Sequence, residues 1–440
     1  MKLLFIFLDA VRGDLSSFKN NELESTSLEE FQKKIGGTYY TNAYAVVPET
    51  FRGFATIRTG LYPKKNGCLV TSTSHSLFLE NKMELFSYLI KKEFNIYILT
   101  APNLESKNVF ESKNLNKYYE IENLLKDYSN DINENKMVFF YCFDYHELAL
   151  HENTVFQEKK ARNKLGNIMD NLIEDIEQEF DKVIIFSDHG FTLDTEKEGD
   201  YWPLSLGRTN VILQLRNNKE ERKKIKIREE LVSLLDIFPT VVSWFEDEEK
   251  YKFDGISLNK KHEETLYIED GFTDPYGKVI NVSEHPEMYR IKIINKEIEK
   301  EFNLKELNEL RLKNRNFYDE IENKVCHLKI AIQLYNIYFS KYKYRKFSIS
   351  SNDVVDNTIK RYDCNGNAIY YADGSKIQKK DYYGKNSNNK QYKLNKERIK
   401  KYKKDMKIMV VDLIRIILAY LYLYNFCVEL KKKWRNKCGK

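Results

Sequence analysis

The sequence has no CxxC pair: its six cysteines, Cys68, Cys142, Cys326, Cys364, Cys427 and Cys438, lie far apart. That spacing excludes a zinc knuckle and a disulfide framework, so reduced thiols are expected. Net charge is also small, +6 over 440 residues, and nothing in the composition calls for a nucleic acid partner. There is no internal repeat. An export signal is missing as well, because the apolar run in the opening MKLLFIFLDAVRGD is only about seven residues and ends in acid rather than in small residues. It reads instead as a first core strand, from which a cytoplasmic location is expected.

Apolar residues make up 42% of the chain and charged residues 31%, an ordinary globular balance rich in Tyr (31) and Phe (26). A chain this long exceeds one hydrophobic core, so a large domain over 1–300 and a smaller region over 301–440 are expected. Leu3–Leu8 is an unbroken apolar run ended by Asp9, as suits a strand buried on both faces of a parallel sheet. Similar runs occur at Tyr39–Val47, Ile96–Thr100, Met137–Phe143, Val183–Phe186 and Asn210–Leu215, with helical patterns such as Met83–Lys92 and Ala161–Phe180 between them. This alternation predicts an α/β fold with a mainly parallel central sheet sandwiched by helices, and a C-terminal helical and irregular appendage. Ligands gather at the carboxyl ends of such strands. Asp9, Asp144 and Asp188 each stand just past one, so three stretches would bring carboxylates to one edge.

Four segments carry a resemblance: FIFLDAVRGDLSS, TNAYAVVPETFRGFATIRTGLYPKKNGC, FSDHG, and LVSLLDIFPTVV with FDGISL. In wording and order, over roughly residues 1–295, they resemble the sulfatase-like branch of the alkaline phosphatase superfamily. The resemblance implies that Asp9 binds a metal, as do Asp188 and His189. It places the nucleophile nine residues before Thr59 of the TGLYP segment, at Thr50. The stretch with Asp236, Pro239 and Thr240 resembles the family's helix near the end of the catalytic domain, and Tyr289–Ile293 its closing strand. Cleaving a phosphate or sulfate ester needs a nucleophile beside a divalent cation. Two carboxylates, one imidazole and the Thr50 oxygen make a shell suited to one Mn, Zn, Mg or Ca ion.

The departures from the pattern redirect the chemistry. A formylglycine sulfatase needs Cys or Ser at the head of C/S-x-P-x-R, whereas this chain reads Thr50-Phe51-Arg52-Gly53-Phe54. A threonine nucleophile is similar to that of phosphoethanolamine transferases and lipoteichoic acid synthases, which implies phosphoryl or phosphodiester transfer. Ala10 stands where many sulfatases carry a second Asp, and the extra His of two-metal phosphatases is missing, so one metal is expected. Arg52 is a candidate clamp for the anion's oxygens. His146, in Phe143-Asp144-Tyr145-His146, resembles the family's substrate-contacting His and is a candidate oxyanion partner or general acid; His151 is a weaker one. Arg208 and Lys292 lie in segments that resemble places where relatives bring basic groups near the substrate, and are weaker candidates. Arg12 and Asp14 more simply turn the chain out of the strand. Hydrolysis of sulfuric or phosphoric monoesters, and a binding protein on an inactive catalytic fold, are the rival readings.

The last apolar segment, Ile408–Val428, is about the length that spans a bilayer, roughly 20 residues, but contains Asp412 and Arg415. A core helix, a helix lying on an anionic leaflet, and a span are the three readings, in that order. Lys431, Lys432, Lys433, Arg435 and Lys437 follow it, making a basic tail that fits peripheral contact with an anionic membrane, where a lipid-linked or surface-polymer precursor would be met. Turn signals at Asn365-Gly366, Asp373-Gly374 and Tyr383-Gly384 suggest a small hairpin or a loosely ordered segment.

Overall fold

The computed structural model describes residues 1–68, 83–100, 115–146, 155–173, 176–191, 204–261, 265–270 and 289–326, with scattered positions elsewhere. It divides into two compact units, one of 1–278, 290–303 and 314–326, the other of 279–289, 304–313 and 327–440. In the first, eight strands form one sheet: β1 Lys2–Leu8, β2 Gly37–Tyr44, β3 Asn95–Leu99, β4 Asn116–Tyr118, β5 Lys136–Cys142, β6 Lys182–Phe186, β7 Leu213–Arg216 and β8 Ile225–Ser233. Their order is β4-β3-β5-β1-β6-β7-β2-β8. All neighbours are parallel except the two pairs that β7 makes. The fold is therefore the expected α/β one with a mainly parallel sheet.

Alternation along β1 shows how the sheet is sandwiched. Leu3, Phe5 and Phe7 enter one buried cluster, Leu4, Ile6 and Leu8 the other. A central strand covered on both faces has no polar side to show, hence the unbroken apolar run. Helices α1 (Ser27–Ile35), α2 (Thr50–Thr59), α3 (Leu85–Lys91), α4 (Ile121–Asn130), α5 (Val155–Ile173) and α6 (Ile237–Ser243) supply the cover. On the α2 side, Phe54 stacks on Phe7 with ring centroids 5.2 Å apart, and Phe7 on Phe186 at 5.1 Å. Such contacts fix α2 against the middle of the sheet. A smaller antiparallel sheet in the same unit joins β9 (Leu266–Asp270), β10 (Arg290–Ile294) and β11 (Glu299–Asn303) in the order β11-β10-β9. The expected closing strand is thus β10.

The face covered by α1 and α5 holds an ionic network. Arg162, fully buried on α5, donates to the Arg12 carbonyl at 2.9 Å and pairs with Glu29. Glu158, also buried, stands 3.6 Å from Arg162, too far for a hydrogen bond. Burial pushes its carboxyl up to about 7, against the pull of Arg162 and Arg12. A raised carboxyl titration favours the folded state fully below the ordinary carboxylate range, and that stability is lost as pH rises through about 7. Glu158→Gln should remove the loss while Glu29 still neutralises Arg162. We expect the variant to gain about 2 kcal/mol in urea unfolding near pH 8 and little near pH 5; an equal gain at both would contradict the assignment.

In the second unit, Ile359–Tyr362 pairs antiparallel with Ala368–Tyr371; the Asn365-Gly366 turn signal falls between them, outside the described residues. The Asp373-Gly374 and Tyr383-Gly384 turns lie outside the described residues, as does almost all of Ile408–Val428. No helix among the described residues is long and apolar enough to cross a membrane.

Candidate functional site

Register sets the site. Phe7 lies opposite Phe186 on the parallel pair β1 and β6, so the chains leave the sheet side by side and bring Asp9 next to Asp188. Ala10, just past the strand, has φ +60, a left-handed conformation costly for a residue with a Cβ. Its N–H donates to Asp188 Oδ1 at 3.1 Å, as does the His189 N–H at 2.8 Å. Tyr141 of the neighbouring β5 donates its hydroxyl to Asp9 Oδ2. Both carboxylates are fully buried.

His189 is oriented through its other nitrogen. Nδ1 lies 2.6 Å from the Gly190 carbonyl, which assigns the proton there and leaves Nε2 as an acceptor. That Nε2 is 3.4 Å from Asp188 Oδ2, which takes no hydrogen bond, and 3.3 Å from Thr50 Oγ1. Ligand atoms of Asp9, Asp188 and His189 all lie within 4.8 Å of one another. A buried carboxylate oxygen with no donor beside an unprotonated imidazole nitrogen is what a divalent cation would satisfy. The donor set fits the expected single ion.

Thr50 reaches the cluster from α2, whose first residue it is, at the positive end of the helix dipole. Phe54, one turn on, holds that helix to the sheet. Glu49 caps the helix by accepting the Arg52 N–H at 2.9 Å, and its other oxygen takes no hydrogen bond. Burial pushes the Glu49 carboxyl up, against Arg52 and His189. Close packing sets the loops around His189: a Cβ on Gly190 would come 1.9 Å from the Gly207 carbonyl oxygen, so that backbone approach requires glycine.

The remaining candidates are distributed differently. His146 stacks on Phe143, ring centroids 4.6 Å apart. Burial pushes its imidazole down to about 4, with His189 adding to the shift and Asp188 opposing it. At neutral pH it is an uncharged ring, suited to donating or accepting a hydrogen bond rather than acting as a cationic acid. Asp144 is exposed and outside the cluster, because the helical turn at residues 144–146 carries it outward; only two of the three expected strand-end carboxylates meet. Arg52 is fully buried, its Nη2 3.1 Å from Glu269, with Glu49 3.8 Å from its Nε. Arg208 lies 2.5 Å from Asp270, and its carbonyl accepts the Gly190 N–H. Lys292, buried on β10, pairs with Glu299 at 2.7 Å rather than with any cluster residue. Arg12 holds Asp14 through two hydrogen bonds, 3.0 and 2.8 Å, the bracing expected of the turn after β1. His151 is outside the described residues.

Tyr141, Glu49, Glu269 and Asp270 went unnoticed in the sequence. For the last two a signal exists: Leu266–Ile268 followed by two acids repeats the pattern that marks Asp9.

No family model and no curated protein matches the chain. Solved structures do. A 4S-sulf protein of glycosaminoglycan metabolism in Bacteroides thetaiotaomicron is similar at 12% identity over 76% of this chain and 96% of its own, with a TM-score of 0.48. For the phosphonate monoester hydrolase of Agrobacterium radiobacter the values are 11%, 73%, 93% and 0.47. The periplasmic domain of EptC from Escherichia coli, solved in complex with Zn, gives 14%, 63%, 90% and 0.43. Likenesses this coarse bring no residue role with them; such roles rest on the geometry above.

Proposed function

We propose that the chain is a metal-dependent enzyme that hydrolyses or transfers phosphate-type esters, with Thr50 as nucleophile. One observation carries the reading: the Thr50 hydroxyl lies 3.3 Å from His189 Nε2, at the edge of the Asp9, Asp188 and His189 cluster. A divalent cation held by those three residues would lower the hydroxyl's pKa and offset charge on the transferred group. Thr50 gives up its proton, and its oxygen bonds to phosphorus as the bond to the leaving alcohol breaks; the leaving oxygen takes a proton. Water or an alcohol then attacks the phosphothreonine and restores the hydroxyl. His146, uncharged at neutral pH, donates an N–H hydrogen bond to the anion or the leaving oxygen. The same reading takes residues 1–300 as the catalytic domain, and the cytoplasm, at an anionic membrane face, as its place of work.

The test is a panel of aryl phosphodiester, aryl phosphate and aryl sulfate, assayed on the full chain after chelation and after return of Mn, Zn, Mg or Ca. Turnover that returns only with the cation is expected. A chain that takes up no cation and turns over none of the three would instead favour the non-catalytic binding protein.

A further inference from the structure

Between Met137 and Cys142, β5 carries a single hydroxyl, that of Tyr141. Side chains there alternate between the two buried clusters, Met137, Phe139 and Tyr141 on the side of α2 and Val138, Phe140 and Cys142 on the other. Phe139 and Tyr141 both pack on Phe7, with ring centroids 6.4 and 4.8 Å away. A phenyl ring would serve that packing as well as a phenol, so the hydroxyl has another use. Tyr141 stands opposite Phe7 in the parallel register, and Asp9 follows Phe7 by two residues, on the same face of the sheet. That diagonal between neighbouring strands is within reach of an aromatic side chain. The register holds past the strand, where the Asp9 N–H donates to the Cys142 carbonyl at 3.1 Å. The Tyr141 O–H accordingly donates to Asp9 Oδ2, with the tyrosine buried.

Asp188 is constrained in the same way. Its Oδ1 accepts the N–H groups of Ala10 and His189, whereas its Oδ2 accepts no hydrogen bond. Each carboxylate of the cluster thus has one oxygen engaged by a donor of the chain, and a cation that took both oxygens would compete with that donor. Divalent cations differ in what this costs them. Ca gathers about six to eight oxygens and often takes both from one carboxylate. Zn is satisfied by about four ligands, imidazole among them, with one oxygen from each carboxylate.

We propose that Tyr141 is a positioning residue that makes Asp9 a one-oxygen ligand, and that it thereby favours a small, four-coordinate cation such as Zn over Ca. The proposal rests on the reading above in which Asp9, Asp188 and His189 hold a divalent cation.

The experiment is calorimetry of Zn and of Ca on the full chain, wild type against Tyr141→Phe, counting only the binding that Asp188→Asn loses. Melting curves of the cation-free proteins check the fold. Loss of the hydroxyl should weaken Zn by about tenfold or more, as loss of a donor to a metal-binding side chain does, and Ca much less. The ratio of Zn to Ca affinity should therefore fall about tenfold. A tyrosine needed only for packing would leave that ratio where it was, and an unchanged or raised ratio overturns the proposal. Should Tyr141→Phe fail to fold, infrared difference spectra of wild type, Zn-loaded minus cation-free, give the answer. The symmetric and antisymmetric carboxylate bands should be widely split, as in one-oxygen binding; the narrow splitting of two-oxygen chelation overturns the proposal. A wild type that binds neither cation removes the cation site and the proposal with it, whereas binding of both with an unchanged ratio removes only the role of Tyr141.

Discussion

Thr50→Ala is expected to lower turnover of an aryl phosphodiester by at least about a thousandfold, with cation uptake and melting curve unchanged. The separation of chemistry from folding follows from how α2 is held. Glu49 supplies its cap through the Arg52 N–H, and Phe54 its anchor on Phe7; neither contact involves the Thr50 hydroxyl. Alanine is at ease in the first turn of a helix. The hydroxyl's hydrogen bond runs to His189 Nε2, a nitrogen the cation would occupy. Thr50→Ser, which keeps the oxygen, should retain part of the activity. Steady-state kinetics beside metal analysis would decide: an alanine variant that turns over like wild type removes Thr50 from the mechanism.

Much of this frame was legible because burial on two faces writes itself as an unbroken apolar run. Leu3–Leu8 was expected as a strand and Lys2–Leu8 is one, with Asp9 delivered to the sheet's carboxyl edge. Strand limits were less legible where backbone groups turn to other partners. The run Tyr39–Val47 stops as a strand at Tyr44, because the Ala45 N–H donates to the Thr209 carbonyl and the Val46 carbonyl accepts from Glu269. Asn210 and Val211 likewise make isolated bridges to Tyr44 and Arg12, and the strand proper begins at Leu213. The arginines show the larger limit. Nothing local to Arg52 reveals that its partner is Glu269, more than two hundred residues on. Phe54, where a sulfatase pattern carries Arg, was legible only as a departure; its use is to stack on Phe7 and hold Thr50 in place.

Asp188→Asn is the second change with a large expected effect, and it should separate cation binding from folding. In the wild type, Asp188 Oδ1 holds the N–H groups of Ala10 and His189, while Oδ2 is buried, lacks a hydrogen bond and stands 3.4 Å from His189 Nε2. Asparagine can keep its carbonyl on the two N–H donors and turn its NH2 toward that acceptor nitrogen. It also removes one of two buried negative charges at the ends of β1 and β6, so the cation-free variant should be at least as stable as cation-free wild type. What it cannot do is ligate a cation through an amide nitrogen. Thermal unfolding should show the contrast. At a cation concentration about a hundredfold above Kd, wild type gains about 2.7 kcal/mol by mass action and the variant almost nothing, with diester turnover lost in parallel. A variant that binds and gains as wild type does would mean that Asp9 and His189 suffice, or that the cation sits elsewhere. A variant that unfolds without cation would mean that the asparagine carbonyl does not replace Oδ1 as acceptor of the Ala10 and His189 N–H groups. The Ala10 turn makes that second outcome informative, because a left-handed residue held by a single carboxylate oxygen should relax once its acceptor weakens.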